Sequence, residues 1–92
     1  MHITHDENKH RFDLYADTGV HAGELEYTLG EPGLIYAEHT AVSRAFEGQG
    51  LASKLLDALV AFARVNNLRI VPECSYVAHA FRTHPEKYAD VM

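Results

Sequence analysis

The amino-acid sequence predicts a small α+β domain with a mixed, mostly antiparallel sheet, one long helix after the fourth strand and short C-terminal helices. Three observations lead to this fold class. Alternating apolar runs separated by turns fill the first half of the chain, an amphipathic helical stripe follows over residues 50–66, and a short β-type run comes next at 68–72. With 92 residues, the chain is long enough for one domain over 1–92 and too short for two.

The first four strands are predicted from alternation and from the turns between them. Residues 1–5, 11–16, 20–29 and 34–42 are strand-like. Between the last two runs, Gly30-Glu31-Pro32-Gly33 is a strong turn signal, because glycine tolerates positive φ and proline fixes its own φ. Short connections between successive strands predict an antiparallel meander.

The long helix is predicted from an apolar stripe at spacings of four and three, formed by Leu51, Leu55, Leu59 and Phe62. A strand on each side of a long helix predicts two parallel strands joined by a right-handed crossover. Ser75 is expected to cap a second helix that runs to about Arg82. Pro85 is expected to begin a last helical turn.

Composition and charge narrow the class of function. The formal net charge is −5 and no run of Lys or Arg is visible, which argues against a nucleic-acid partner. Cys74 is the single cysteine, so no intramolecular disulfide forms, as is usual in a reducing compartment. The polar N-terminus lacks a secretory apolar region and no apolar run reaches bilayer length. We therefore expect a cytoplasmic protein with no membrane partner.

The junction between the fourth strand and the long helix is the most informative stretch. It reads Phe46-Glu47-Gly48-Gln49-Gly50-Leu51-Ala52-Ser53. Glycine lets the backbone approach a ligand, and the free amides of a first helical turn favour an anion. A glycine motif alone is more often only a tight helix start. The preceding antiparallel meander argues against a Rossmann unit, and a P-loop would need Gly-Lys-Ser/Thr.

The same stretch resembles the cofactor motif Gln/Arg-x-x-Gly-x-Gly/Ala of the GNAT superfamily of acetyl-CoA-dependent N-acetyltransferases. The matching positions are Gly50 and Ala52, whereas Glu47 departs from the usual Gln or Arg. The likeness extends from His39-Thr40-Ala41-Val42 to His84-Pro85-Glu86. Within the superfamily, Cys74-Ser75-Tyr76-Val77 resembles the very small YjdJ-type branch.

The resemblance implies acetyl-CoA as co-substrate and an amine as acceptor. It implies that backbone groups near Ala41 and Val42 bind the pantetheine arm in a gap between two splayed strands. It also implies that the pyrophosphate is held by the amides of Gly48, Gln49, Gly50, Leu51, Ala52 and Ser53. Cys74, at the end of the second splayed strand, is then expected near the thioester.

Cys74 also has a physical argument of its own. It follows Pro72 and precedes a predicted helix N-terminus, a position that favours the thiolate. A lone cysteine is more commonly a small buried hydrophobe. Together with the resemblance, its position favours a reactive Cys74 that either accepts the acetyl group or lines the acetyl pocket.

His39 is the preferred acid–base candidate because a neutral imidazole can relay a proton at physiological pH. By regular alternation it shares a side with Ile35, Ala37 and Ala41, whereas Glu38 points to the opposite side. A bulge in the strand would change this parity. A histidine among apolar neighbours is more often structural, and Glu38 remains the second candidate.

The sequence predicts no metal site, because none of its 7 histidines forms a helical ligand pair with a carboxylate base in register. The preferred function is acetyl transfer from acetyl-CoA to an amine, either directly or through Cys74. The alternative is a non-catalytic acyl-CoA-binding or interaction module, because so short a chain leaves little room for a substrate pocket. Either a monomer or a homodimer is compatible with the sequence.

Overall fold

Five strands form one sheet whose spatial order follows the sequence. A computed structural model describes all residues, 1–92. The strands are β1 (His2–Asp6), β2 (Arg11–Tyr15), β3 (His21–Leu29), β4 (Leu34–Val42) and β5 (Arg69–Pro72). β1 to β4 are antiparallel, and β5 pairs with β4 in parallel. The predicted meander and the parallel pair are confirmed.

The helices also follow the predicted order. They are α1 (Leu51–Val65), α2 (Ser75–Thr83) and α3 (Pro85–Tyr88), with 3₁₀ turns at Arg44–Phe46 and Ala89–Val91. The predicted cap of α2 is wrong by one residue. Cys74 occupies the N-cap in an extended conformation and no side chain caps the helix, so Ser75 is its first helical residue.

One apolar core joins the sheet to the helices. The α1 stripe is confirmed, because its leucines and Ala63 are buried while Lys54 and Asp57 face solvent. α1 packs across β2, β3 and β4, and α2 packs against β4 and β5. The same cluster contains buried residues from every layer, including Leu14, Leu25, Ile35, Leu55, Leu59, Val77 and Phe81.

Two β-bulges determine which side chains lie on the face of the sheet that is turned away from the helices, here called the outer face. In β3, Gly23 pairs with Leu14 of β2 and His21 pairs with the next residue, Tyr15, so that Ala22 is an extra residue without a partner in the register. In β4 the register with β3 moves from Ala37 to His39, leaving Glu38 extra. Each bulge reverses the in–out alternation beyond it.

The β4 bulge overturns one expectation about His39. Its side chain does not share a face with Ile35 and Ala37, which are buried. It lies on the outer face, 52% exposed, with Nε2 3.6 Å from Glu24. Thr40 takes the inner position instead, beside Cys74.

Gly23 lies where the meander comes closest to β4. A Cβ built at this position would be 2.8 Å from the Ala41 carbonyl oxygen and 3.4 Å from both Leu55 and Val42. The backbone oxygen cannot move away without disturbing the β3–β4 ladder. The absence of a side chain at Gly23 therefore allows Ala41 and Val42 to pack directly against β3.

β5 is the shortest strand and one of the two edges of the sheet; it has 4 residues and ends at Pro72. None of the helices combines the length and the apolar character that crossing a bilayer requires.

We expect Gly23→Ala to lower the free energy of unfolding by about 1–3 kcal/mol, because the new methyl overlaps a backbone oxygen in a packed region. Urea denaturation measures the change. Val20→Ala, at an exposed position, is the control and should stay within about 0.5 kcal/mol of the parent. Equal stability of the parent and Gly23→Ala would contradict the close approach.

Candidate active site

The turn before α1 is built on two glycines with left-handed backbone conformations. Gly48 has φ 81° and Gly50, the N-cap of α1, has φ 72°. Other residues adopt such angles only with strain. No atom lies within 4 Å of a Cβ built at either glycine. The turn therefore leaves open space directly above its backbone.

The amides of residues 48–53 donate no hydrogen bond to any group of the protein. The first amide of α1 with an acceptor is that of Lys54, which donates to the Gly50 carbonyl at 3.4 Å. Unpaired amides at the start of a 15-residue helix point outward, and the helix dipole favours negative charge there. This geometry suits a diphosphate.

A groove of about 250 Å³ opens over these amides. Its walls are Val42, Glu47, Gly48, Gly50, Leu51, Ala52, Ser53 and Tyr76. Most of the residues predicted to bind the cofactor therefore line one cavity. Ala41 and Gln49 are not among its walls.

β4 and β5 separate beside this groove. They pair only from Leu34 to Ala37 of β4, and the Cys74 amide then donates to the Ala37 carbonyl at 2.7 Å. Residues 38–42 continue β4 with no β5 partner. The predicted gap between two splayed strands is therefore present, and it leads from the groove to Cys74.

Cys74 lies at the closed end of this gap, 7% exposed. Its Sγ is 3.4 Å from the Thr40 Oγ1. Burial is the largest influence on the pKa of Cys74 and acts to raise it. Hydrogen bonds from the Thr40 hydroxyl and from the backbone amides of Val77, Tyr76 and Thr40 act in the opposite direction. Together they outweigh burial, so the pKa of Cys74 lies below its ordinary value and the thiolate is favoured.

The bulge at Glu38 places this residue on the outer face, two positions before Thr40. Glu38 accepts a hydrogen bond from the Thr28 hydroxyl at 3.0 Å. A second cavity of about 540 Å³ lies there, lined by Thr28, Gly30, Glu31, Tyr36, Glu38 and Glu73. None of its carboxylates forms an ion pair with a Lys or Arg of the protein. The cavity is therefore acidic. One of its lining residues, Glu73, directly precedes Cys74 in the sequence.

Two residues at this centre were not predicted from the sequence. Thr40 supplies both a hydroxyl and an amide to the Cys74 sulfur, and only the bulge gives it that orientation. Tyr76 packs against the core and also lines the groove. Burial raises the pKa of Tyr76, and a hydrogen bond with Ser53 partly offsets this. The Cys-Ser-Tyr-Val motif was the available signal for Tyr76.

A sequence model described as GCN5-related N-acetyl-transferase matches residues 11–91. The chain belongs to the GCN5-related N-acetyltransferase family. Its fold is similar to that of a GCN5-like candidate N-acetyltransferase from Staphylococcus aureus solved by NMR, with a TM-score of 0.78 and 33% identity. That match covers 98% of this chain and 85% of the other. The predicted superfamily is confirmed, and the chain is accordingly an acetyltransferase.

Two larger N-acetyltransferases have a similar fold. An aminoglycoside N-acetyltransferase in complex with CoA matches 83% of this chain with a TM-score of 0.60 and 19% identity. A ribosomal-protein-alanine N-acetyltransferase from Brucella melitensis biovar Abortus 2308 matches 84% with a TM-score of 0.63 and 23% identity. This chain spans 63% and 59% of their respective lengths.

We expect Thr40→Val to raise the pKa of Cys74, because it removes the hydroxyl that stabilises the thiolate while keeping the side-chain shape. At a pH below that pKa the thiolate fraction should fall about tenfold, since a hydrogen bond to a charged group contributes about 1.5 kcal/mol. A pH titration of thiolate ultraviolet absorbance measures the change. Thr28→Val, on the outer face, is the matched control, and identical titrations of all three proteins would refute the Thr40 contact.

Proposed function

We propose that this protein binds acetyl-CoA across the groove before α1 and transfers the acetyl group to an amine. The pyrophosphate would rest on the amides of residues 48–53. The pantetheine arm would follow the unpaired edge of β4 at Ala41 and Val42, and the thioester would lie beside Cys74. The single observation that carries this proposal is the row of amides without acceptors beneath an open groove.

The residues present fit the cofactor with one exception. Positive φ at Gly48 and Gly50 and the empty space above them leave room for a diphosphate. The unpaired β4 edge offers backbone donors and acceptors to the amide groups of the arm. The exception is Glu47, a lining residue of the groove whose negative charge would repel a diphosphate and weaken binding.

For the chemical step, we propose that Cys74 takes the acetyl group first. Its thiolate attacks the thioester carbonyl, the carbon–sulfur bond to CoA breaks, and CoA leaves as the thiolate. A neutral amine then attacks acetyl-Cys74, and the bond from the acetyl carbon to Sγ breaks to regenerate the Cys74 thiolate. The Thr40 hydroxyl and the amides around Sγ support this role, because they stabilise the sulfur as an anion in both steps.

The acceptor amine would enter from the outer face, through the gap where β4 has no β5 partner. We propose His39 as the group that receives the proton lost by the amine, with Glu38 as the second candidate. His39 is exposed to that side and lies next to Thr40, which contacts Cys74. The acidic cavity lined by Glu31, Glu38 and Glu73 suits an acceptor that carries a second positive charge.

Membership of the small YjdJ-type branch is also proposed, on the Cys74–Val77 motif. The cytoplasm, where acetyl-CoA and amines are both available to such an enzyme, is the proposed location.

Calorimetry with acetyl-CoA and with CoA tests whether the protein binds the cofactor, which both candidate functions require. Release of free CoA thiol in the presence of small amines, diamines and peptides then separates an enzyme from the alternative acyl-CoA-binding module. Binding without transfer to any of these acceptors would favour the module. Absence of binding to either ligand would remove both functions.

We expect Glu47→Gln to strengthen CoA binding about twofold to fivefold, because it removes an exposed negative charge beside the proposed diphosphate site, an interaction of about 0.4–1 kcal/mol. Titration calorimetry gives the two dissociation constants. Glu7→Gln makes the same change of charge in the β1–β2 turn and should leave the affinity unchanged. An equal gain in both variants would mean that net charge, and not position, controls binding.

We expect Cys74→Ala to lower acetyl transfer at least a hundredfold while CoA still binds, because the acceptor of the first step is lost. Thiol release follows the rate, and mass spectrometry of the parent after incubation with acetyl-CoA should detect acetyl-Cys74, reversible by hydroxylamine. Ser75→Ala is the control at the adjacent position. Full turnover by Cys74→Ala would show that the amine attacks acetyl-CoA directly.

A further inference from the structure

A group of histidine and carboxylate side chains lies on the outer face, away from the groove. Asp13, His21 and Glu24 offer one donor atom each, and these three atoms lie within 4.8 Å of one another. The His21 Nε2 is 2.7 Å from the Asp13 Oδ1 and 3.9 Å from the Glu24 Oε1. We call these three residues the β2–β3 cluster.

The β3 bulge creates this cluster. Asp13 of β2 and Glu24 of β3 are directly opposite in the sheet register. His21 lies three residues before Glu24, so regular alternation would place it on the buried face. The extra residue, Ala22, returns His21 to the face that carries the two carboxylates. Bulges commonly redirect a side chain next to a functional site.

The charges of the cluster are only partly balanced. The Asp13 side chain is 6% exposed, and its Oδ2 accepts a hydrogen bond from the Arg11 Nε at 3.0 Å. Its Oδ1 faces His21. Glu24 has no Lys or Arg partner and contacts only the imidazoles of His21 and His39. Of the two carboxylates, only Asp13 is therefore paired with a guanidinium.

We propose that the β2–β3 cluster binds one divalent transition-metal ion of the zinc type through the His21 Nε2, the Asp13 Oδ1 and the Glu24 Oε1. Imidazole and carboxylate are the ligands such ions take in proteins. Bonds to zinc at a tetrahedral angle put donors about 3.4 Å apart, and the separations of 2.7 and 3.9 Å lie on either side of that value. The ion takes the place of the proton between His21 and Asp13, and water completes its coordination.

A second group of three possible metal ligands lies beside the β2–β3 cluster and serves as an internal comparison for it. Glu24, Glu26 and His39 also bring three donor atoms within 4.8 Å, but none of these side chains is buried. The β2–β3 cluster is favoured because Asp13 is almost completely buried and its orientation is fixed by Arg11. The two sets share Glu24, so exchanging one histidine at a time distinguishes them.

The test is titration of the untagged 92-residue protein with zinc chloride, followed by calorimetry and by ¹H–¹⁵N NMR spectra. We expect one equivalent to bind with chemical-shift changes centred on residues 13, 21 and 24. His21→Gln should weaken binding at least tenfold, and His39→Gln should change it less than twofold. Both histidines are partly exposed, so either variant should keep the parent spectrum elsewhere.

Three results would overturn the proposal: no binding by the parent, loss of binding in His39→Gln with retention in His21→Gln, or equal binding by both variants and the parent. The last would place the ion on other histidines of the chain. None of these measurements uses acetyl transfer, so their outcome is independent of the proposed enzymatic function.

Discussion

The separation of β4 from β5 after Ala37 is the constraint on which the candidate site depends. The hydrogen bond from the Cys74 amide to the Ala37 carbonyl is the last backbone–backbone bond between the two segments. Beyond it, β4 continues to Val42 with a free edge. If the strands stayed paired, the Thr40 amide would be spent in the ladder and could not contact the Cys74 sulfur.

The bulge at Glu38 determines which face of the sheet the next residues of β4 reach. It turns Thr40 inward toward Cys74 and His39 outward toward Glu24. Adjacent residues of one strand therefore reach opposite faces, one toward the proposed cofactor side and one toward the proposed acceptor side. A chain of this size needs no additional layer to present chemical groups on both sides of its sheet.

Local patterns in the sequence were sufficient to predict the elements and their order. Alternation, the turn at 30–33 and the leucine stripe of α1 each depend on neighbours in the chain, and each is confirmed. The glycine turn was equally local, so its open backbone could be anticipated. The roles assigned to its residues and to Cys74 and His39 remain predictions.

What could not be predicted depends on pairing between strands. A bulge is invisible in a single sequence because it is defined by the register of two strands. The side of His39, the contact of Thr40 and the meeting of Asp13 with His21 all follow from bulges or from register. The cap of α2 was missed for a related reason, since the amide of Cys74 is held by β4 and sets where the helix begins.

The short β5 has a consequence for the association of this protein with other polypeptides. An outermost strand with free backbone groups invites another polypeptide to extend the ladder, with aggregation as the risk. Here that template is only 4 residues long, and its final residue, Pro72, has no amide hydrogen to offer. The same brevity that lets the chain turn early toward Cys74 thus also protects the protein from unwanted strand addition at this border.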